Sequence, residues 1–221
     1  MQRLVLLSDI NQLHPILVYR LRELIGGKTF TLGYIPSQTD RDGIYFNKSK
    51  SFFSSIGINN FVYFDVDEEY DERRMEELLR CDGVYLSGGN TFSFLERLKT
   101  RGMIENIRRM VEAGKPLIGV SAGAIMMSDT INMAGFIDNN TIGLKYLSAL
   151  QLVPFEFMPH WSRHRSQLAQ LREYSSRTGK KIYACCDGNG IIVTDGEVEG
   201  YGDIVEIGVK EKPQWNLEYH R

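Results

Sequence analysis

The chain opens on a short apolar run, residues 4–7, and repeats that unit through its first two-thirds. Residues 30–35, 61–64, 83–86 and 116–120 are equally short and rich in Val, Ile, Leu and aromatics, the pattern of buried strands. Between them, apolar residues recur at helical spacing. Residues 14–25 gather Ile16, Leu17, Leu21, Leu24 and Ile25 on one stripe, with Gly26-Gly27 as a stop. Residues 71–80 turn Met75, Leu78 and Leu79 one way, with acids in the first turn and Arg80 at the end, as the helix dipole favours. Residues 90–99 and 103–113 complete the set, and the acid-rich stretch 65–72 reads as a solvated loop and helix start.

Strands alternating with helices of this length predict an α/β fold, a mostly parallel sheet covered by helices on both faces. The last third changes character. Residues 152–158, 181–186, 190–194 and 204–209 are strand-like, with turn signals at Asp187-Gly188 and Asp195-Gly196, and only 165–176 is helical. No Pro/Gly/Ser-rich linker separates the parts. The expectation is therefore one domain over residues 1–221, its C-terminal strands added at one edge of the same sheet.

Composition narrows the function classes. Apolar residues make up 43% and charged residues 24% of the 221, enough to build a full core. A net charge of -2 argues against a general nucleic-acid binder. No apolar run approaches the roughly 18 residues that cross a bilayer, and the first nine residues lack the pattern of a secretory leader. Cys81, Cys185 and Cys186 offer neither a disulfide framework nor metal-ligand spacing; they read as small buried thiols in a reducing compartment, which makes cytoplasm the expected location.

Candidate chemistry concentrates at predicted strand ends. Gly119-Val120-Ser121-Ala122-Gly123 matches the nucleophile-elbow pattern, with a strand running in and a helix-compatible stretch running out. Such a turn is tight enough that side chains two positions either way would collide with neighbouring elements. It holds the Ser hydroxyl outward over helix amides that favour developing negative charge. Ser87-Gly88-Gly89-Asn90 ends another strand, and glycines there let a backbone amide approach a substrate oxygen. An oxyanion hole would combine the Gly89 and Ala122 amides, while a phosphate-binding turn is the other reading of the glycine pair. No GxGxxG or GK[ST] motif supports a nucleotide. Pro159-His160 follows a third strand and makes His160 the best base among four histidines: His14 begins a helix, His164 opens the following one, and His220 is near the terminus. Asp187 follows a fourth strand. It could orient His160 or serve only the turn Asp187-Gly188-Asn189-Gly190.

These segments, in this order, resemble the peptidase E family of serine exopeptidases. The resemblance runs from residue 33 to about 193 and is strongest over 81–92, over 119–123, and from 149–155 to Pro159-His160. It implies a flavodoxin-like or Rossmann-like sheet related to the glutamine-amidotransferase group. It also implies a triad in the chain order Ser121, His160, Asp187, without metal or organic cofactor, acting on dipeptides or short peptides through an acyl-enzyme. Asp187 stands where the family commonly has Glu followed by Gly. The family's preference for an N-terminal aspartate would need a fixed cation. Arg163 or Arg165 could supply it, or both could be solvated helix-start residues. The stretch after His160 is shorter than in the aspartyl enzymes. A cyanophycinase-like peptidase or an esterase with the same machinery, and a non-catalytic ligand-binding or sensing protein that retains the fold, are the competing readings.

Overall fold

Because successive residues of a strand face opposite ways, a strand buried on both sides must be apolar throughout and splits its side chains between two layers. In the computed structural model, which describes residues 1–25, 29–67 and 71–208, the chain does this. The elements in order are β1 (Arg3–Leu7), α1 (Pro15–Ile25), β2 (Thr31–Ile35), α2 (Ile44–Ser55), β3 (Asn60–Tyr63), α3 (Glu72–Arg80), β4 (Gly83–Leu86), α4 (Thr91–Thr100), α5 (Met103–Glu112), β5 (Leu117–Val120) and α6 (Ala122–Ile125). They continue with β6 (Glu156–Met158), α7 (Trp161–His164), α8 (Leu168–Thr178), β7 (Ile182–Cys185), β8 (Gly190–Thr194), β9 (Glu197–Tyr201) and β10 (Ile204–Ile207).

Leu4 and Leu6 of β1, Val84 and Leu86 of β4, and Leu117 of β5 pack into one core. Its cover is Leu78 of α3, Phe94 and Leu98 of α4, and Ile107 of α5. Val5, Leu7, Tyr85, Ile118 and Val120 face the other way, against Leu17 and Leu21 of α1 and Phe53 of α2. The main sheet runs β3-β2-β4-β5-β1-β8-β9. The pairings of β3, β2, β4, β5 and β1 are parallel, and β8 and β9 extend the edge antiparallel. Asp195 (φ 48°) and Gly196 (φ 90°) make the tight turn from β8 to β9 that the Asp-Gly signal predicts.

Several features differ from the expectation. Residues 44–55 form α2, which no apolar stripe announces. Of the residues expected to form a long strand over 152–158, only Glu156–Met158 pair, since Pro154 cannot donate to a ladder. The expected edge strands divide: β8 joins the main sheet and is followed there by β9, which is not among the expected strands, while β6, β7 and β10 build a separate three-stranded sheet. The helical stretch expected at 165–176 begins as a 3-10 turn at Arg165–Gln167 before α8. On α1, Ile16 is exposed and the buried stripe is Leu17, Leu21 and Ile25. The stop at Gly26-Gly27, residue 209 and His220 lie outside the described residues, as does part of 65–72. Cys81, Cys185 and Cys186 are all free and buried.

The small sheet hides one carboxyl group. Glu156 on β6 is 2% exposed; Tyr174 Oη donates to its Oε1 at 3.1 Å, and Oε2 has no partner among the described residues. Burial raises its pKa to about 7, against opposing contributions from the Tyr174 hydrogen bond and Lys180. The folded state therefore holds a proton that the unfolded chain releases near the ordinary carboxylate value, so stability falls as pH rises from about 4.5 to about 7. Glu156→Gln should remove this penalty, on the order of 2–3 kcal/mol. Thermal melts should show the variant roughly 5–10 °C more stable at pH 8 and no more stable than wild type at pH 4.

Candidate active site

Parallel strands deliver their carboxyl ends to one rim, where open α/β sheets bind ligands. Here the residues just past β1, β2, β4 and β5 (Ser8, Ser37, Ser87-Gly88-Gly89 and Ser121) all line a cavity of about 370 Å³. Ser121 occupies a strained turn, φ 50° and ψ −108°. The flanking glycines are required. A Cβ on Gly119 would lie 2.3 Å from Gly123 O, and one on Gly123 would lie 2.2 Å from Leu86 O. The Ser121 amide is fixed to Leu7 O at 2.9 Å, and its side chain caps no helix amide, which leaves the hydroxyl for other work.

His160 and Asp187 come from the small sheet. β6 and β7 are parallel neighbours in which Met158 stands opposite Ala184, so the residues that follow leave the same end side by side. His160 lies at φ 57°, with Trp161 buried behind it, and its amide donates to Ser8 Oγ at 2.8 Å. Ser121 Oγ is 3.0 Å from His160 Nε2, and His160 Nδ1 is 2.5 Å from Asp187 Oδ1. With the proton on Nδ1, the imidazole donates to the carboxylate and accepts from the hydroxyl.

Asp187 is held from several sides. Ser8 Oγ donates to its Oδ1 at 2.9 Å, and Arg163 Nη2 to its Oδ2 at 2.7 Å. Partial burial alone would raise its pKa. The hydrogen bond and charge of His160, the Ser8 hydroxyl and the Arg163 guanidinium outweigh that and hold it below the ordinary carboxylate value. The next amide, Gly188 N–H, donates to Asp9 Oδ1 at 2.8 Å. Gly188 itself has φ 80°, and a Cβ there would lie 2.8 Å from Gln12 O.

Ser121, His160 and Asp187 thus come together, and Gly89 lines the cavity beside them. Ala122, the first residue of α6, directs an amide that has no partner among the described residues. Arg163 and Arg165 do not line the cavity. Arg163 is engaged with Asp187, and Arg165 with Asp203 at 2.8 Å. Two further aspartates, Asp138 and Asp195, are engaged away from His160, Asp138 at the start of α4 through Thr91 and Asp195 with the Gln2 amide. His164 ends α7 instead of opening the next helix. Sequence reasoning missed Ser8, Ser37 and Lys48, all lining the cavity. Ser8 and Ser37 carried a readable signal, a polar residue at the carboxyl end of a buried strand. Among the described residues, no group of His, Cys, Asp and Glu could hold a metal ion, and no helix is long and apolar enough to cross a membrane.

A doubly covered, mostly parallel sheet with hydroxyl, imidazole and carboxylate in series at its rim is the architecture of a serine-type hydrolase. Residues 5–200 match peptidase family S51, and the chain belongs to that family; it is a peptidase. An uncharacterized peptidase of Listeria monocytogenes is 28% identical over 201 residues, covering 90% of this chain and 97% of that protein. A peptidase E of Shewanella amazonensis is 30% identical over 128 residues, 56% of this chain and 49% of that one. Among solved structures, a candidate peptidase E protein from Listeria monocytogenes EGD-e superposes with a TM-score of 0.74. It is 26% identical, and the match covers 90% of this chain and 98% of that one. A peptidase from an acI-B1 actinobacterium, at 16% identity and a TM-score of 0.70, shares the fold over 94% and 91% of the two chains.

Proposed function

We propose that this protein is a serine exopeptidase that hydrolyses dipeptides or short peptides through Ser121, His160 and Asp187. The observation that carries this reading is the unbroken series Ser121 Oγ–His160 Nε2, 3.0 Å, and His160 Nδ1–Asp187 Oδ1, 2.5 Å. Ser121 Oγ attacks the scissile carbonyl carbon as its proton passes to His160 Nε2, and the Gly89 and Ala122 amides receive the oxyanion. Collapse breaks the C–N bond, His160 returns the proton to the leaving amine, and an acyl-enzyme on Ser121 remains. Water, deprotonated by the same imidazole, attacks that ester and frees Ser121. Asp187 holds the ring in the productive tautomer and stabilises the imidazolium.

The cavity also bears on the substrate. Its formal charges are Asp9, Asp40 and Lys48. Asp9 is occupied by the Gly188 amide and Asn11, and Asp40 accepts from the Phe46 amide. Those donors are neutral, so both carboxylates keep their charge; Lys48 is the one lysine or arginine of the lining, and it makes no ion pair or hydrogen bond among the described residues. This supports a substrate carboxylate, and with it a preference for N-terminal aspartate, at Lys48 in place of Arg163 or Arg165. A panel of aspartyl, neutral and β-linked dipeptides plus a simple ester tests the reading. The aspartyl peptide should be the best substrate. Lys48→Met should raise its KM about 5- to 10-fold, since a charge-assisted contact contributes on the order of 1 kcal/mol, with little change for a neutral dipeptide. A best rate on the β-linked peptide or the ester would favour the cyanophycinase-like or esterase reading.

A further inference from the structure

The two oxyanion donors differ in how they are held. Ala122 belongs to α6 and is fixed by it. Gly89 belongs to Gly88-Gly89, the most conformationally free pair a chain can contain. A donor stabilises a transition state best when it is aimed before the reaction, so that no reorganisation is needed at the moment charge develops. Something outside this segment must therefore aim the Gly89 amide.

Two hydroxyls from the adjoining strand ends converge on the Gly88 carbonyl. Ser37 Oγ donates to Gly88 O at 2.6 Å, and Ser87 Oγ donates to the same oxygen at 3.1 Å. Ser37 is itself clamped at both ends. Its amide donates to Ser87 Oγ at 2.7 Å, and its carbonyl accepts from the guanidinium of Arg97, which is paired with Asp67. Both serines are buried. Gly89 has φ 144°, and a Cβ there would lie 2.0 Å from Ser37 Oγ, so this close approach requires glycine. No peptide among the described residues is cis, so the Gly88–Gly89 unit is trans and its N–H points opposite to its C=O. With the carbonyl held towards Ser37 and Ser87, the Gly89 N–H is turned away from them. It donates to no group among the described residues. Gly88 abuts the nucleophile, as a Cβ on it would lie 3.5 Å from Ser121 Cβ.

We infer that Ser37 is a positioning residue, whose hydroxyl, seconded by Ser87, locks the Gly88–Gly89 peptide so that the Gly89 amide faces the oxyanion formed at Ser121. The inference rests on the proposed serine mechanism and adds to it a group that touches neither the substrate nor the reacting atoms.

A fluorophosphonate probe tests it, because its phosphoryl oxygen occupies the same hole as it reacts with Ser121. Ser37→Ala should lower the limiting rate of inactivation about 10- to 100-fold, less than the 10²–10³ typical of losing a donor outright, with the half-saturating probe concentration within about twofold of wild type. Ser37→Cys fills the same space with a weaker donor and should fall between. Ser87→Ala, which removes the longer bond, should cost less than Ser37→Ala. A purely structural brace would lower the melting temperature without this split. Folded Ala and Cys variants that react at the wild-type rate would overturn the inference while the serine mechanism stands. A wild-type protein that never takes the label would overturn both.

Discussion

Ser121→Ala should abolish peptide hydrolysis while leaving the fold intact. Removing the nucleophile of a serine peptidase lowers turnover on the order of 10⁶-fold, beyond the reach of an ordinary steady-state assay. The fold should survive for local reasons. The Ser121 hydroxyl bonds to His160 and caps no helix amide, and alanine meets the φ 50° turn with the same Cβ as serine. The amide that ties the turn to Leu7 O is unaffected. Thermal melts of variant and wild type should agree within a few degrees, and residual hydrolysis should match the assay blank. A variant that keeps its rate would mean that the turn is a vestige and the activity lies elsewhere; a wild-type protein with no hydrolysis above the blank would mean that it binds its ligand without transforming it.

Asp187→Asn should lower turnover on the order of 10⁴-fold, the effect of disabling an orienting carboxylate in a serine triad. The carboxamide can still accept from Ser8 through its oxygen, so the geometry of the loop should persist. It can no longer stabilise an imidazolium, and its NH₂ can select the wrong tautomer of His160. The Arg163 contact contributes little to stability, being exposed on the arginine side. Ser121 should still react with a fluorophosphonate, slowly but measurably. The carboxyl of Asp187 is held below its ordinary pKa by His160, Ser8 and Arg163, so in the proposed triad it stays ionised as pH falls into the ordinary carboxylate range. A wild-type rate for Asp187→Asn would be hard to reconcile with the distances, since Asp138 and Asp195 are both engaged away from His160.

The layered sheet was legible because its strands are buried on both faces and must be apolar along their whole length. α1, α3, α4 and α5 were legible because each lays an apolar stripe on that sheet. α2 was not. Its sequence buries only Ser49 and Phe53 of twelve residues, so no periodicity stands out. A different argument would have found it, since β2 and β3 are parallel and a parallel pair needs a crossover. β9 is an exposed edge strand with no apolar face, and only the Asp195-Gly196 turn pointed to it.

The candidate site divides the same way. Ser121, His160 and Asp187 each follow a strand closely enough to be placed by local pattern, and the elbow glycines announce the first of them. What the sequence could not convey is the small sheet, whose β6–β7 register sets imidazole beside carboxylate, because pairing between residues far apart leaves no mark in either segment alone. Arg163 and Arg165 illustrate the limit. Both are near His160 in the chain, yet each ends on an aspartate outside the cavity, while Lys48, more than a hundred residues earlier, faces it.

The most direct measurement is peptide mapping by mass spectrometry after treating the native protein with a fluorophosphonate at neutral pH. A hydroxyl polarised by an adjoining imidazole should carry close to one adduct per chain, on Ser121 and on no other serine. An unmodified protein after prolonged exposure, or an adduct spread over other hydroxyls, would contradict the account.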